Sequence, residues 1–191
     1  MGKLAGQKAE PEKPTAKLTR PAKLKAGHII SKFDCGEDVL NVWLQKRALI
    51  AIAEQTAMTF AVCRGRTVVG YYSLAASSIS HEECTSSLQR NTPDPVPAML
   101  LARLAVHKPE QGHGIGPDLI QDAFFRVLRV AKNVAAKTLI VHALDEERAK
   151  FYRKLGFSDL PAGNAPISLH LPLKRIAAAV AASNQAKAAA T

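Results

Sequence analysis

Cysteine is scarce in this 191-residue chain: Cys35, Cys63 and Cys84 are odd in number and far apart. That excludes a disulfide framework and a zinc knuckle, and makes a reducing, cytoplasmic setting the expectation. No apolar run approaches the roughly 20 residues of a membrane span, and the basic N-terminus lacks the apolar core of a secretory signal. His81, His142 and His170 show no metal-ligand spacing, so no metal is expected. Acidic residues are also short, 16 against 26 Lys and Arg, for a formal net charge of +10. Half of that excess lies in residues 1–27, where Lys3, Lys8, Lys13, Lys17, Arg20, Lys23 and Lys25 face only Glu10 and Glu12.

What is present suits one domain. Hydrophobic residues make up 47% of the chain, enough for a sizeable core. Residues 1–27 lack apolar periodicity and read as a basic flexible tail, with a nucleic-acid-binding arm as the functional reading. The domain spans residues 28–176, and the Ala-rich residues 177–191 read as a frayed C-terminal tail. Within the domain, Glu37 to Ile52 has helical spacing at Leu40, Trp43, Leu44, Leu49 and Ile52. "TAMTFAVC" and "TVVGYYSLA", split by Arg64, Gly65 and Arg66, read as a hairpin. Residues 77–97 read as a loop with one helical turn. "AMLLARLAV" (Ala98–Val106) is an apolar strand and Pro117–Val134 a helix of about five turns. "KTLIVHAL" is a buried strand, and "DEERAKFYRKLGF" a short helix ending at a left-handed Gly156. "PISLHLPL" (Pro166–Leu173) is the last strand. The order implies a layered α/β (α+β) domain in which the strand–helix–strand unit 98–144 makes one parallel pair.

The turn "EQGHGIGPD" carries Gly112, Gly114 and Gly116. Glycines let successive N–H groups point into one concavity, and the following helix adds its unpaired amides and positive dipole end. Together they suit a phosphate or pyrophosphate. Pro117 fits the first helical turn, where its missing N–H is not needed. The spacing is neither the dinucleotide fingerprint nor a P-loop, so a pyrophosphate-bearing cofactor other than NAD or ATP is the next candidate, with an ordinary tight strand-to-helix turn as the alternative.

"LARLAV…QGHGIGPDLI" resembles the acyl-CoA segment of the GCN5-related N-acetyltransferases (GNAT), whose motif reads Q/R-x-x-G-x-G/A; Gln111, Gly114 and Gly116 take its three positions. "DEERAKFYRKLGF" resembles the family's N-x-x-A-x-x-F-Y-x-x-x-G-F through Phe151, Tyr152, Gly156 and Phe157. It departs from it at Asp145, where Asn is common, and at Arg148, where a small residue is common. The segments "FDCGEDVLNVWL", "VVGYYSLAASSISHEE", "RNTPDPVPAMLLARLAV", "VHALDEE" and "LHLPLKRI" are similar to one subgroup, the acetyltransferase toxins of bacterial type II toxin–antitoxin systems.

The resemblance implies a mixed, mostly antiparallel sheet flanked by helices, with its one parallel strand pair splayed at the acetyl-CoA site. It implies that Leu104, Ala105 and Val106 border the thioester and pantetheine. Gln111, Gly112, His113, Gly114, Ile115 and Gly116 would cradle the phosphates, with Phe151 also at the cofactor. Tyr152 would protonate the leaving thiolate. The substrate implied is the α-amino group of aminoacyl-tRNA, whose acetylation blocks translation. Lys46, Arg47, Arg90 and Arg103 are the candidate tRNA contacts. The partners implied are a second copy in a homodimer and a small antitoxin, commonly of ribbon–helix–helix type, through which the complex reaches operator DNA. No Asp or Glu stands out as a general base. Two other readings stay open at this point: an acetyltransferase acting on a protein or small-molecule amine, and an inactive binding protein with the same fold.

Overall fold

The computed structural model describes residues 16–161 and 167–189. Residues 1–15 of the expected basic tail, Pro166 of the expected last strand, and Ala190 and Thr191 of the expected C-terminal tail lie outside the described residues.

The described chain opens with β1 (Ala22–Lys23) and then a helical stretch. That stretch comprises α1 (Asp38–Val42), a π-helical turn (Trp43–Arg47) and α2 (Ala48–Ala53). The hairpin is β2 (Met58–Arg64) and β3 (Thr67–Ile79), joined through Gly65 in the left-handed region. A 3-10 turn (His81–Glu83) and α3 (Ser86–Gln89) lead to β4 (Val96–Val106). Then come α4 (Ile115–Ala131), β5 (Thr138–Ala143), α5 (Glu146–Lys154), β6 (Ser158–Asp159), β7 (Ile167–Pro172) and α6 (Leu173–Ala189).

The seven strands form one sheet in the order β1-β2-β3-β4-β5-β7-β6. Every pairing is antiparallel except β4–β5. The mixed sheet with one parallel pair is therefore the architecture expected. β3 feeds two cores, and because it carries an extra residue, Val69, between the pairs Cys63↔Val68 and Val62↔Gly70, residues three apart share a face there. Tyr72 and Val69 face α4, α5 and α6 together with Leu119, Ile120, Val127 and Ile176. Tyr71 and Val68 face the first helical stretch with Leu44, Ala48 and Phe33. A third cluster, around Cys84, Leu88 and Ile140, seats the β3–β4 connection.

Three expectations need correction. The described part of the supposed N-terminal tail is ordered sheet edge. Ala22 and Lys23 pair with Ala61 and Phe60, Leu18 bridges to Arg64, and Leu24 is 2% exposed. A lone short strand carries no periodic signal of its own, and the β2 edge supplies its hydrogen bonds. The Ala-rich C-terminal segment is helix α6, not a frayed tail. Alanine is the strongest helix former, and Leu173, Ile176 and Val180 fall on one face that packs onto the main core. Lastly, α4 starts at Ile115 rather than Pro117, so Pro117 is its third residue. The proline is still tolerated, because the first four N–H groups of a helix have no intrahelical partner.

The N-terminal correction makes a quantitative prediction. Leu24→Ala should destabilise the domain by about 2–5 kcal/mol, as for other fully buried leucines. Chemical denaturation reads this directly, and a loss near zero would restore the tail reading.

Candidate active site

β4 and β5 are in register from Ala98↔Thr138 to Leu101↔Val141 and then part. A β-bulge marks the parting: Leu101 and Arg103 face Leu74 and Ser73, leaving Ala102 as the extra residue of β4. A bulge bends its strand and ends regular pairing. Beyond it, β4 continues to Val106 with no strand beside it on the β5 side among the described residues, while β5 stays fully paired to β7. The wedge between them is a cavity of about 400 Å³. Leu104, Ala105, Val106, Gln111, His142 and Tyr152 are among the residues lining it.

At the end of β4, His107 N donates to Val69 O and Lys108 N to Asp34 O, which locks the strand end to the Asp34–Gly36 loop. Gln111 reinforces this: its Nε2 donates to Cys35 O at 3.0 Å and Val106 O at 2.9 Å, and its backbone N bonds Lys108 O. Gln111 therefore shapes the turn and has no donor left for a phosphate. Gly112 (φ 78°) and Gly114 (φ 84°) are left-handed, and a Cβ at either would meet nothing within 4 Å. Glycine is needed there for backbone conformation, not for space. Gly114 is the N-cap of α4, and its carbonyl accepts from Asp118 N. The amides of Gly112, His113, Gly114, Ile115 and Gly116 donate to nothing among the described residues. Ile115's side chain is core, so only its backbone is available. Phe151 Cζ would lie 3.9 Å from a Cβ at Gly116, which places the phenyl ring over the turn.

Beneath the turn, Glu110 is buried and paired with Arg64, Nη2 to Oε2 at 3.0 Å. That guanidinium holds its carboxyl below the usual range.

Tyr152 projects from α5 into the cavity wall and is 8% exposed. Its ring stands edge-on to Phe151 and Phe157, at 5.3 and 5.5 Å between centroids. Burial pushes its pKa up to about 12, so the hydroxyl keeps its proton through neutral pH. The hydroxyl has no hydrogen-bond partner among the described residues. Asp145, the departure from the family's Asn, is the N-cap of α5 and accepts from Arg148 N at 2.8 Å. Arg148, the second departure, bridges Asp145 Oδ2 at 2.7 Å and Glu37 Oε1 at 2.8 Å. It ties α5 to the start of α1 beside the cavity.

A smaller cavity of about 230 Å³ shares Ala102 and Arg103 with the first and adds Trp43 and Arg47. The Arg103 guanidinium lies 5.7 Å from the Trp43 ring centre. Its Nε is buried without a partner among the described residues. The bulge thus brings two of the four candidate tRNA contacts, Arg47 and Arg103, to one place. Lys46 is exposed beside Arg47, and Arg90 is the C-cap of α3; neither lines either cavity. His113 sits exposed in the turn, while His107 Nδ1 faces the backbone of Asp34.

Periodicity accounts for Trp43 as helix packing, the motif marks Arg148 only as a departure, and His142 carries no spacing signal of its own. Only their positions on the cavity wall single them out.

Comparison with known proteins agrees with this geometry. The model of the acetyltransferase (GNAT) domain matches residues 51–159. A tRNA-acetylating toxin of Mycobacterium tuberculosis (strain ATCC 25618 / H37Rv) is 37% identical over 154 residues, covering 81% of this chain and 92% of that protein. The solved structure of AtaT complexed with acetyl-methionyl-tRNAfMet superposes with a TM-score of 0.78 at 30% identity, covering 86% of this chain and 99% of that one. A tyrosine-to-phenylalanine variant of the AtaT toxin, bound to acetyl-CoA and the C-terminus of the antitoxin AtaR, gives 0.71 at 30% identity. It covers 83% of this chain and 95% of that one.

Proposed function

Because the chain belongs to the GNAT family of acetyltransferases, we propose that it is the toxin of a type II toxin–antitoxin system, transferring acetyl from acetyl-CoA to the α-amino group of aminoacyl-tRNA. The observation that carries this reading is the wedge between β4 and β5, with five amides at one end and a protonated Tyr152 hydroxyl in its wall, all without a partner among the described residues. Its likeness to a tRNA-acetylating toxin and to AtaT holding an acetylated aminoacyl-tRNA supports the choice of substrate.

Acetyl-CoA supplies the acetyl group as a thioester. The chain's own residues do the rest. The amides of Gly112 to Gly116 and the N-terminus of α4 hold the pyrophosphate. Gln111 holds their loop in shape, and Phe151 packs over it. The backbone of Leu104 to Val106, free on the β5 side, aligns the pantetheine arm and polarises the carbonyl. Tyr152 donates its proton to the departing sulfur. Arg47 and Arg103 lead from the smaller cavity towards the reacting carbon and hold the tRNA end through phosphate contacts, with Lys46 and Arg90 further out. Acetylation of the amine withdraws the charged tRNA from translation. The protein works in the cytoplasm as a homodimer and is neutralised by a small antitoxin of ribbon–helix–helix type, which carries the complex to operator DNA.

The experiment is transfer of labelled acetyl from acetyl-CoA to purified charged tRNA, beside uncharged tRNA, a lysine peptide and a polyamine. Label on charged tRNA alone is expected. Label on the peptide or polyamine instead would assign a different acceptor.

A further inference from the structure

We propose that His142 is the general base of this transfer, its imidazole oriented by Ser168 and accepting the proton that the attacking amine gives up. The inference rests on the acetyl-transfer reading above and supplies the proton acceptor that it leaves open. His142 is a β5 residue just past the last β4–β5 pair and lines the same cavity as Tyr152. It stands in register opposite Ser168 of β7, with Nδ1 2.9 Å from Ser168 Oγ. Its Nε2 has no hydrogen-bond partner among the described residues.

The other titratable groups on the wall are otherwise engaged. Glu37 is ion-paired to Arg148. Cys35 is buried, its thiol is pushed up by that burial, and its S–H faces Glu37 O. Tyr152 holds its proton, and Arg103 is a cation that cannot accept one. His107 and His113 are not on the wall. That leaves His142 as the neutral base facing the cavity.

The surroundings suit the role. Partial desolvation lowers the His142 pKa from its ordinary value. Arg103 lowers it further, and Glu83, from the 3-10 turn after β3, acts the other way. The imidazole is therefore neutral at physiological pH. With Nδ1–H donating to Ser168 Oγ, the Nε2 lone pair faces the cavity. An α-amine titrates near about 8, so much of the substrate arrives already neutral and a weak base suffices.

The step balances. The amine nitrogen's lone pair forms the C–N bond, and its proton passes to His142 Nε2. The C–S bond breaks, its electron pair leaves on sulfur, and the Tyr152 hydroxyl supplies the proton. The products are an amide and a free thiol. The imidazolium and the tyrosinate then return to their starting states through solvent, with no net proton change in the enzyme.

The test uses the full chain and charged tRNA. His142→Gln should lower kcat/KM at pH 7 by about 100-fold or more, leave acetyl-CoA affinity by calorimetry unchanged, and remove the acidic limb of the pH–rate profile. Imidazole should partly rescue His142→Ala. Ser168→Ala should keep the base but shift that limb. A readout independent of turnover is the 15N spectrum of the His142 ring, which should show the Nδ1–H tautomer and titrate below 6.5. Wild-type rate and profile in a folded His142→Gln protein overturn the proposal, as does a dominant Nε2–H tautomer if that variant fails to fold. Wild-type protein that leaves charged tRNA unlabelled refutes the functional reading instead, so the two failures are distinct.

Discussion

Tyr152→Phe should reduce acetyl transfer to charged tRNA by roughly 100- to 10,000-fold, the range of a general acid, while acetyl-CoA binds as before. The separation follows from the surroundings of the hydroxyl. Nothing among the described residues bonds it, so its removal strands no buried partner and costs little stability. The ring remains wedged against Phe151 and Phe157, so α5 and the cavity wall keep their shape. What disappears is the hydroxyl proton proposed for the departing sulfur. Because burial raises its pKa to about 12, the wild-type donor stays protonated from acid through neutral pH, and its titration should enter the rate profile only at strongly alkaline pH. Single-turnover kinetics at saturating acetyl-CoA make the measurement. A variant that transfers at the wild-type rate would remove Tyr152 from the chemistry and leave it as packing.

Gly114→Asp should weaken acetyl-CoA binding by roughly 100-fold at low salt. Gly114 caps α4 in the left-handed region, and its amide is one of five with no partner among the described residues. A carboxylate there would satisfy those amides itself and stand against the phosphates. Two like charges about 5 Å apart at an effective dielectric near 20 repel by about 3 kcal/mol, which is somewhat more than 100-fold. Added salt should shrink the loss, because the turn is open to solvent. Gly114→Ala separates charge from backbone strain. It adds a Cβ with open space around it, so its cost is the left-handed conformation, about 1–2 kcal/mol. That cost should appear mainly as a lower melting temperature. Equal acetyl-CoA affinity in the two variants, by calorimetry, would show that the amides do not hold the phosphates.

The same turn shows where a motif match needs structure. Gln111 occupies the first position of the acyl-CoA motif, yet its amide is spent on the carbonyls of Cys35 and Val106. Gly112, outside the three motif positions, is left-handed, and its amide has no partner among the described residues. Gly116, inside the motif, has ordinary contacts around the place of a Cβ. A motif records which residues recur together, whereas the backbone angles decide which of them faces a ligand.

Sequence alone determined the elements whose signals are local. Alternating side chains wrote the hairpin, helical spacing wrote α4 and α5, and left-handed glycine wrote the turn and the end of α5 at Gly156. The strand–helix–strand spacing implied the parallel pair, and "FYRKLGF" placed Tyr152. The fold of α6 was also locally legible, since its alanines and its Leu173, Ile176 and Val180 face favour helix; low complexity masked it. The tertiary structure decided what depends on residues far apart in the chain. The order of residues 16–27 comes from the free edge of β2, because a strand borrows its hydrogen bonds from a partner. The opening of the cavity comes from the Ala102 bulge, a mismatch between two strands that neither shows by itself. The meeting of Arg47 with Arg103, of Arg148 with Glu37 and of His142 with Ser168 comes from packing and register between distant segments. Periodicity assigns a residue to a face, but only the folded sheet decides which other face it meets.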